Sequence, residues 1–140
     1  MNAHAGSFIL FSLGVKRFAL PSDRVSELAR PDTVHTFPNT TRCLSGVLLR
    51  RGEVIPVCDV AEVLTKSDDP PRKFFLIAKR NFGEFEERAA IPVSGDCELT
   101  VTAVLPPTGK LPSHVSGLLS LQDEIVEVID LERLLSGGAP

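Results

Sequence analysis

The chain has no tryptophan and no tyrosine, and neither sign of charge dominates it. The 15 lysines and arginines stand against 18 aspartates and glutamates, which gives a formal net charge of −3. Nucleic-acid-binding domains usually carry a basic surface, and those that bind single strands add aromatic side chains on which bases stack. Composition therefore predicts no nucleic-acid partner.

Long hydrophobic runs are also missing. No stretch approaches the roughly eighteen consecutive apolar residues that a membrane-spanning helix needs, and the first residues lack the pattern of a secretory signal. We therefore expect a cytoplasmic chain without direct membrane insertion. The three cysteines, Cys43, Cys58 and Cys97, lie in apolar segments, which favours a reducing compartment and small core side chains.

Catalytic motifs are missing as well. The sequence has no Gly-x-Ser-x-Gly, no His-Glu-x-x-His, no Cys-x-x-Cys and no glycine-rich loop that could hold a phosphate before a helix. We therefore predict a protein that is not an enzyme and that uses no cofactor and no metal. Protein binding is the function class that remains.

What the sequence does contain is an internal repeat. The stretch LSGVLLRRGEVIPVCDVAEVL (44–64) aligns without a gap with VSGLLSLQDEIVEVIDLERLL (115–135), at a shift of 71 residues. Two copies are too few for a stacked solenoid. We interpret residues 1–140 as one domain in which each half forms one structural unit and the two units share a core. The first repeat spans approximately 8–66, the linker 67–72, and the second repeat approximately 73–136.

Apolar runs separated by turn residues predict two hairpins in the first half. They pair 8–14 with 17–20, and 44–49 with 54–58 around a charged tip. The segment Val25–Leu28 fits either a helix or a strand. Pro56 cannot donate a ladder hydrogen bond, so its strand is expected to be an edge or to be bulged there.

Four residues that recur in both copies have a structural interpretation. Gly46 and Gly117 precede equivalent apolar runs and indicate a close backbone approach or a positive φ. Asp59 and Asp130 precede short helical patterns and are expected to cap them at the N-terminus.

The hairpin tips differ between the copies. Arg50, Arg51 and Gly52 in the first correspond to Leu121, Gln122 and Asp123 in the second. Arg51 could simply be a solvated turn residue. A purely structural requirement should act on both copies, however, so its absence from the second favours a role in binding.

The segment LSGVLLRRGEVIPVCDV (44–60) resembles the signature of the CheW family of chemotaxis adaptors. The likeness continues in the family's order through FALP (18–21), Val25–Leu28, Pro38, Gly117 and Asp130-Leu131. This resemblance implies an all-β fold of two SH3-like five-stranded barrels related by a pseudo-twofold axis. It also implies an adaptor that couples the cytoplasmic tip of a chemoreceptor to a CheA-type histidine kinase.

By the same resemblance, Val25, Glu27 and Arg51 match the positions of the family that bind receptor, and Arg50 and Gly52 complete the candidate binding set. The chain departs from the family pattern at Leu49-Arg50, where the family has Asn-Leu, and at Ser94-Gly95, where it has Val-Asp. A second arginine at the tip suggests a more acidic partner. The alternative is a regulatory protein-binding module of a chemosensory pathway that controls pili or gliding.

Overall fold

The structure is a computed structural model, and it describes most of the chain. Cys43 and most of the predicted linker lie outside the described residues. None of the helices in the described part is both long enough and apolar enough to cross a membrane. The described ranges are 5–30, 33–36, 44–65, 72–82 and 84–136.

Ten strands and two short α-helices follow one another in the part of the chain that the structure describes. In the first half these are β1 (Ala5–Leu13), β2 (Lys16–Pro21), β3 (Val25–Ala29), β4 (Leu44–Arg50), β5 (Glu53–Cys58) and α1 (Ala61–Thr65). In the second half they are β6 (Phe74–Phe82), β7 (Phe85–Val93), β8 (Glu98–Leu105), β9 (Val115–Leu121), β10 (Glu124–Ile129) and α2 (Leu131–Ser136). A 3-10 helix, Ser22–Arg24, leads into β3, so the ambiguous segment that begins at Val25 is a strand.

The strands form two five-stranded units. The first is a closed barrel in the order β1-β2-β10-β9-β8, and the second is a sheet in the order β3-β6-β7-β5-β4. Among the residues described between β3 and β4, His35 forms an antiparallel bridge with Val47 and so connects this segment to β4. The predicted all-β class with two five-stranded units is confirmed.

The prediction that each half of the chain forms its own unit is wrong. The barrel takes its first two strands from the first half and its last three from the second, and the second sheet does the reverse. Each strand has its counterpart five strands away in chain order, so that β1 corresponds to β6 and β10 to β5. Replacing every strand of the closed barrel by its counterpart gives β6-β7-β5-β4-β3, which is the order of the second sheet with β3 moved from one end to the other. The repeat is therefore a pseudo-twofold relation in which the halves exchange strands. Local patterns could not show this, because the parallel contacts β2–β10 and β5–β7 join strands that are distant in sequence.

The largest buried cluster lies between the two units and includes both helices. Phe11 and Phe18 come from the barrel, with ring centroids 5.9 Å apart. Leu76 and Ile91 come from the second sheet, and Leu134 comes from α2. Because each unit contributes side chains to this shared core, burial of apolar surface holds them together.

The recurring Ser-Gly pair forms the same irregularity in both copies. The register between β4 and β5 shifts at Ser45, so that Ser45 lies opposite no residue of β5. Ser116 in β9 likewise lies opposite no residue of β10. The Ser45 hydroxyl donates to the carbonyl oxygen of Val57 at 3.4 Å, and that of Ser116 donates to Val128 at 3.3 Å. The repeated dipeptide therefore encodes a β-bulge.

Pro56 does not lie in an edge strand, because β5 runs between β4 and β7. The proline is opposite Val47, next to the bulge. Parallel pairing of β5 with β7 is recorded at Val57↔Ala90, one residue beyond Pro56. The missing N–H of Pro56 is tolerated because the ladder on that side starts after it.

Candidate functional site

The tip of the β4–β5 hairpin is a two-residue turn. Arg50 and Glu53 form the last strand pair, and Arg51 and Gly52 between them have φ angles of 53° and 78°. Two successive left-handed residues match the twist of a tight hairpin, for which Asn-Gly is the preferred sequence. A non-glycine side chain in this conformation costs about 1 kcal/mol. The turn itself therefore does not favour an arginine, and Arg51 is exposed at its end.

The equivalent turn in the barrel has the same conformation at its first residue. Gln122 lies between β9 and β10 with a φ of 48°. Both copies thus place a long polar side chain on a left-handed backbone at the same position. Glutamine is accepted there, so the backbone does not require the positive charge of Arg51.

Arg50 and Glu27 form an ion pair between the two outer strands of the second sheet. Nη2 of Arg50 lies 2.6 Å from Oε1 of Glu27, and Nε lies 3.3 Å from Oε2. Each side chain is 25% exposed. Within the described residues β3 and β4 share no backbone pairing, so this pair connects the two strands through side chains.

A second ion pair lies beside the first. Nη1 of Arg88 in β7 is 3.4 Å from Oε1 of Glu53. We call the residues of these two pairs and of the turn the arginine end: Glu27, Arg50, Arg51, Glu53 and Arg88. Glu53 and Arg88 also line a cleft of about 330 Å³ with Glu86 and Glu87, so the three arginines lie among four carboxylates. The hydrogen bond from Arg50 holds the pKa of Glu27 below its ordinary value of 4.5 against the opposing effect of burial, and the charges of Arg51 and Arg88 act in the same direction as Arg50.

The equivalent end of the barrel is acidic. Nη1 of Arg17 lies 2.6 Å from Oε1 of Glu98, and Arg17 also pairs with Glu124. These residues and Asp123 line a cleft of about 530 Å³. With one arginine against three carboxylates, this acidic end carries a formal charge of −2. Arg17 and Arg88 are 71 positions apart and therefore occupy equivalent places in the repeat, but the ion pairs that they form were not predicted.

The structure brings four of the five predicted binding residues together. Glu27, Arg50, Arg51 and Gly52 all lie at the arginine end. Val25, two residues before Glu27 in β3, instead packs against the core between the units. Part of the Val25 side chain is therefore buried against this core.

The recurring glycines and aspartates occupy equivalent structural positions. A Cβ atom at Gly46 would lie 2.7 Å from the carbonyl oxygen of His35, and one at Gly117 would lie 3.1 Å from that of Leu105. Both glycines are sites of close backbone approach, and neither has a positive φ. The Asp130 carboxylate accepts a hydrogen bond from the Arg133 amide at 3.1 Å, as an N-cap does.

Asp59 has two roles at the start of α1. Its Oδ1 accepts a hydrogen bond from the amide of Ala61 at 3.2 Å, and its Oδ2 lies 2.7 Å from Nη2 of Arg72. Arg72 directly precedes the second repeat's first strand segment. Asp59 therefore fixes the helix start and also ties the two halves of the chain together.

Comparison with known proteins identifies a matching family and two proteins of similar sequence. A model of the CheW-like domain matches residues 7–139. Protein FrzA of Myxococcus xanthus is 27% identical over 136 residues, which cover 91% of this chain and 84% of FrzA. Chemotaxis protein CheW of Klebsiella aerogenes is 24% identical over 134 residues, which cover 92% of this chain and 81% of that protein.

The fold also matches a solved structure. The crystal structure of the scaffolding protein TtCheW from Thermoanaerobacter tengcongensis superposes with a TM-score of 0.79 at 20% identity. The match covers 95% of this chain and 89% of that one. With the family match extending over nearly all of its length, the chain belongs to the CheW-like domain family.

Proposed function

We propose that this chain is a chemosensory adaptor without catalytic turnover, which couples the cytoplasmic tip of a chemoreceptor to a CheA-type histidine kinase. Membership of the CheW-like family supports the general role of a protein-binding adaptor. On this proposal the protein works in the cytoplasm. It reaches the membrane-associated receptor array through its partners, without inserting into the bilayer and without binding nucleic acid.

One observation carries the assignment of the partner site. Arg51 is exposed on a turn whose backbone disfavours it, and the second copy places the uncharged Gln122 on the same backbone. Because Gln122 shares this conformation, the positive charge distinguishes Arg51 as the candidate for binding. Arg51 also matches the family's receptor-binding arginine by resemblance. We therefore place the receptor contact at the arginine end.

A second candidate is the same adaptor role in a pathway that controls pili or gliding. Arg50 stands where the family usually has leucine, and this favours a partner surface different from that of a typical chemotaxis array. Sequence similarity does not separate the two, because identity to FrzA and to CheW is nearly equal. Deleting the gene and scoring swimming, twitching and gliding separately distinguishes them.

Reconstitution tests the adaptor role. The purified protein is mixed with a receptor signalling fragment and a CheA-type kinase, and the products are sized while kinase autophosphorylation is followed. We expect a ternary complex and a change in kinase activity that depends on the adaptor. Absence of binding to either partner at about 50 µM, above the range usual for transient signalling contacts, would contradict the proposal.

A further inference from the structure

We propose that the tip of the β6–β7 hairpin belongs to the partner surface, and that Phe85 at this tip is an apolar anchor for the receptor beside Arg51. This inference rests on the proposed function, because it extends the receptor contact from the β4–β5 turn to the neighbouring hairpin. The partner surface that fits is an apolar pocket with basic side chains at its border.

The β6–β7 hairpin is longer than its counterpart in the first copy. In the β1–β2 ladder, one strand pair lies between the pair of Arg17 and the turn. In the β6–β7 ladder, three pairs follow the pair of the equivalent Arg88, and the last of them is Phe82↔Phe85. The second hairpin therefore extends two residue pairs, or about 7 Å, farther along its strands.

Packing within the protein does not account for this extension. Residues 85–88 are all exposed, whereas residues 89–93 of the same strand are buried. Phe85 itself is 74% exposed. An ion pair between Arg80 Nε and Glu87 Oε1, 2.7 Å apart, joins the two strands at the base of the extension. The hairpin thus holds a large aromatic side chain in solvent on two strands that are tied together.

The tip of the hairpin lies beside the turn that carries Arg51. Strands β5 and β7 are parallel, and counting back five residues along both from their recorded pair brings Gly52 level with Phe85. The residues that follow these two, Glu53 and Glu86, line the same cleft of about 330 Å³. Single exposed apolar side chains are common on protein surfaces, but this one adjoins the proposed contact. A partner that reaches Arg51 therefore meets the longer hairpin as well.

The charges around Phe85 define the chemistry of the partner. Glu84 and Glu86 flank it in sequence, and both are exposed. Within the part of the chain that the structure describes, neither of these glutamates forms an ion pair. A pocket that takes the phenylalanine ring therefore gains from lysine or arginine near the two glutamates, and from a carboxylate that faces Arg51. Aromatic side chains are enriched at the centres of such interfaces, where they bury a large apolar area.

Calorimetric titration with the receptor signalling fragment, and in parallel with the CheA-type kinase, tests the inference. Phe85→Ser should weaken receptor binding about tenfold or more and leave kinase binding unchanged. Because the lost contact is apolar, the ratio of the two receptor affinities should be the same at about 50 and 300 mM salt. Phe85→Leu, which keeps an apolar side chain, should stay within about threefold of the parent.

Two further variants use the internal repeat as a control. Val15, at the tip of the shorter hairpin, is also fully exposed, so Val15→Ser should leave receptor binding unchanged. Replacing residues 81–86 by Gly-Val gives β6–β7 the length of β1–β2 and should lose at least as much affinity as Phe85→Ser. The substitutions at exposed positions 15 and 85 should melt like the parent.

The possible results distinguish this inference from the proposed function. If Phe85→Ser binds receptor like the parent while Arg51→Glu does not, the receptor contact at Arg51 stands and the inference is overturned. A loss confined to kinase binding overturns it as well, because the hairpin then serves the kinase. So does a parent that self-associates through Phe85, seen as a dimer on sizing that Phe85→Ser abolishes. If the parent binds neither receptor nor kinase, the adaptor proposal fails and the receptor role of Phe85 fails with it.

Discussion

The glycines of the repeated bulge allow a matched pair of substitutions with unequal expected cost. In Gly46→Ala the new Cβ would lie 2.6 Å from Cγ1 of Val34 and 2.7 Å from the carbonyl oxygen of His35. In Gly117→Ala it would lie 2.6 Å from Cγ1 of Val104 and 3.1 Å from the carbonyl oxygen of Leu105. The side-chain clash is the same, so the backbone oxygen makes the difference.

That oxygen matters more in the second sheet. The carbonyl of His35 accepts the Val47 amide at 2.9 Å, and His35↔Val47 is the bridge that joins the segment after β3 to β4. The barrel is closed at the equivalent place by two pairs, Val104↔Leu119 and Leu105↔Leu118. Displacing His35 therefore breaks the bridge that joins its segment to β4, whereas displacing Leu105 leaves the pair Val104↔Leu119 between β8 and β9.

Forcing extra volume into a packed site typically costs about 1–3 kcal/mol, and replacing glycine by alanine restores roughly 0.4–1 kcal/mol through the unfolded chain. We therefore expect a loss of about 2 kcal/mol for Gly46→Ala and about 0.5 kcal/mol for Gly117→Ala. Urea denaturation measures both values, and the difference corresponds to roughly 5 °C in melting temperature. Equal losses, or a larger loss for Gly117→Ala, would refute the assignment of the His35 carbonyl as the critical contact.

Three further predictions follow from the strand exchange and from the titrating groups. Fragments 1–68 and 69–140 should each give poorly dispersed amide spectra and should recover the native spectrum when mixed, and cooperative melting of either fragment alone would contradict this. Because the pKa of Glu27 is lowered in the folded protein, its stabilising contribution is present above pH 4.5 and is lost as the pH falls through the lowered value. Thermal melts of the parent should show this acid-dependent loss, Arg50→Leu should show less of it, and identical pH profiles would contradict the pairing. Burial, together with the nearby charge of Asp96, raises the pKa of Cys97 to about 11. Iodoacetamide at about pH 8 should therefore modify Cys97 about a hundredfold more slowly than free cysteine, as read by mass spectrometry, and labelling at the free rate would contradict it.

Local features of the fold could be predicted from the sequence because they depend on neighbouring residues. The β4–β5 hairpin, the repeat at a shift of 71 and the special positions of Gly46 and Gly117 all follow from turn chemistry and pattern. The capping contact of Asp130 belongs to the same class.

Pairing between distant strands could not be predicted in this way. Each half has the periodicity of a complete unit, and nothing in that periodicity distinguishes pairing within a half from exchange between halves. Of the two alternatives expected for Pro56, an edge strand or a bulge, the edge strand is wrong for the same reason, since the extent of the β5–β7 ladder depends on a strand about thirty residues away. The bulge in the β4–β5 pairing lies next to Pro56. The ion pair between Glu27 and Arg50 joins residues 23 positions apart across two outer strands. Glu27 was a candidate by resemblance and Arg50 was a departure from the family pattern beside Arg51, but their contact with each other was not predicted.

Receptor binding at Arg51 can be tested by one matched comparison between the two copies. Arg51→Glu and Gln122→Glu place the same side chain on the same left-handed backbone in the two copies. Each exposed substitution should change stability by less than about 0.5 kcal/mol. Arg51→Glu should cost roughly 2–5 kcal/mol of receptor binding, because it reverses one member of an interfacial charge pair.

Calorimetric titration of both variants with the receptor signalling fragment gives the answer, with melting curves recorded in the same buffer. We expect Arg51→Glu to lose at least about tenfold in affinity, Gln122→Glu to bind like the parent, and both variants to melt like the parent. Binding by Arg51→Glu at the parent's affinity would contradict a receptor contact at Arg51, as would a loss of binding explained entirely by a lower melting temperature.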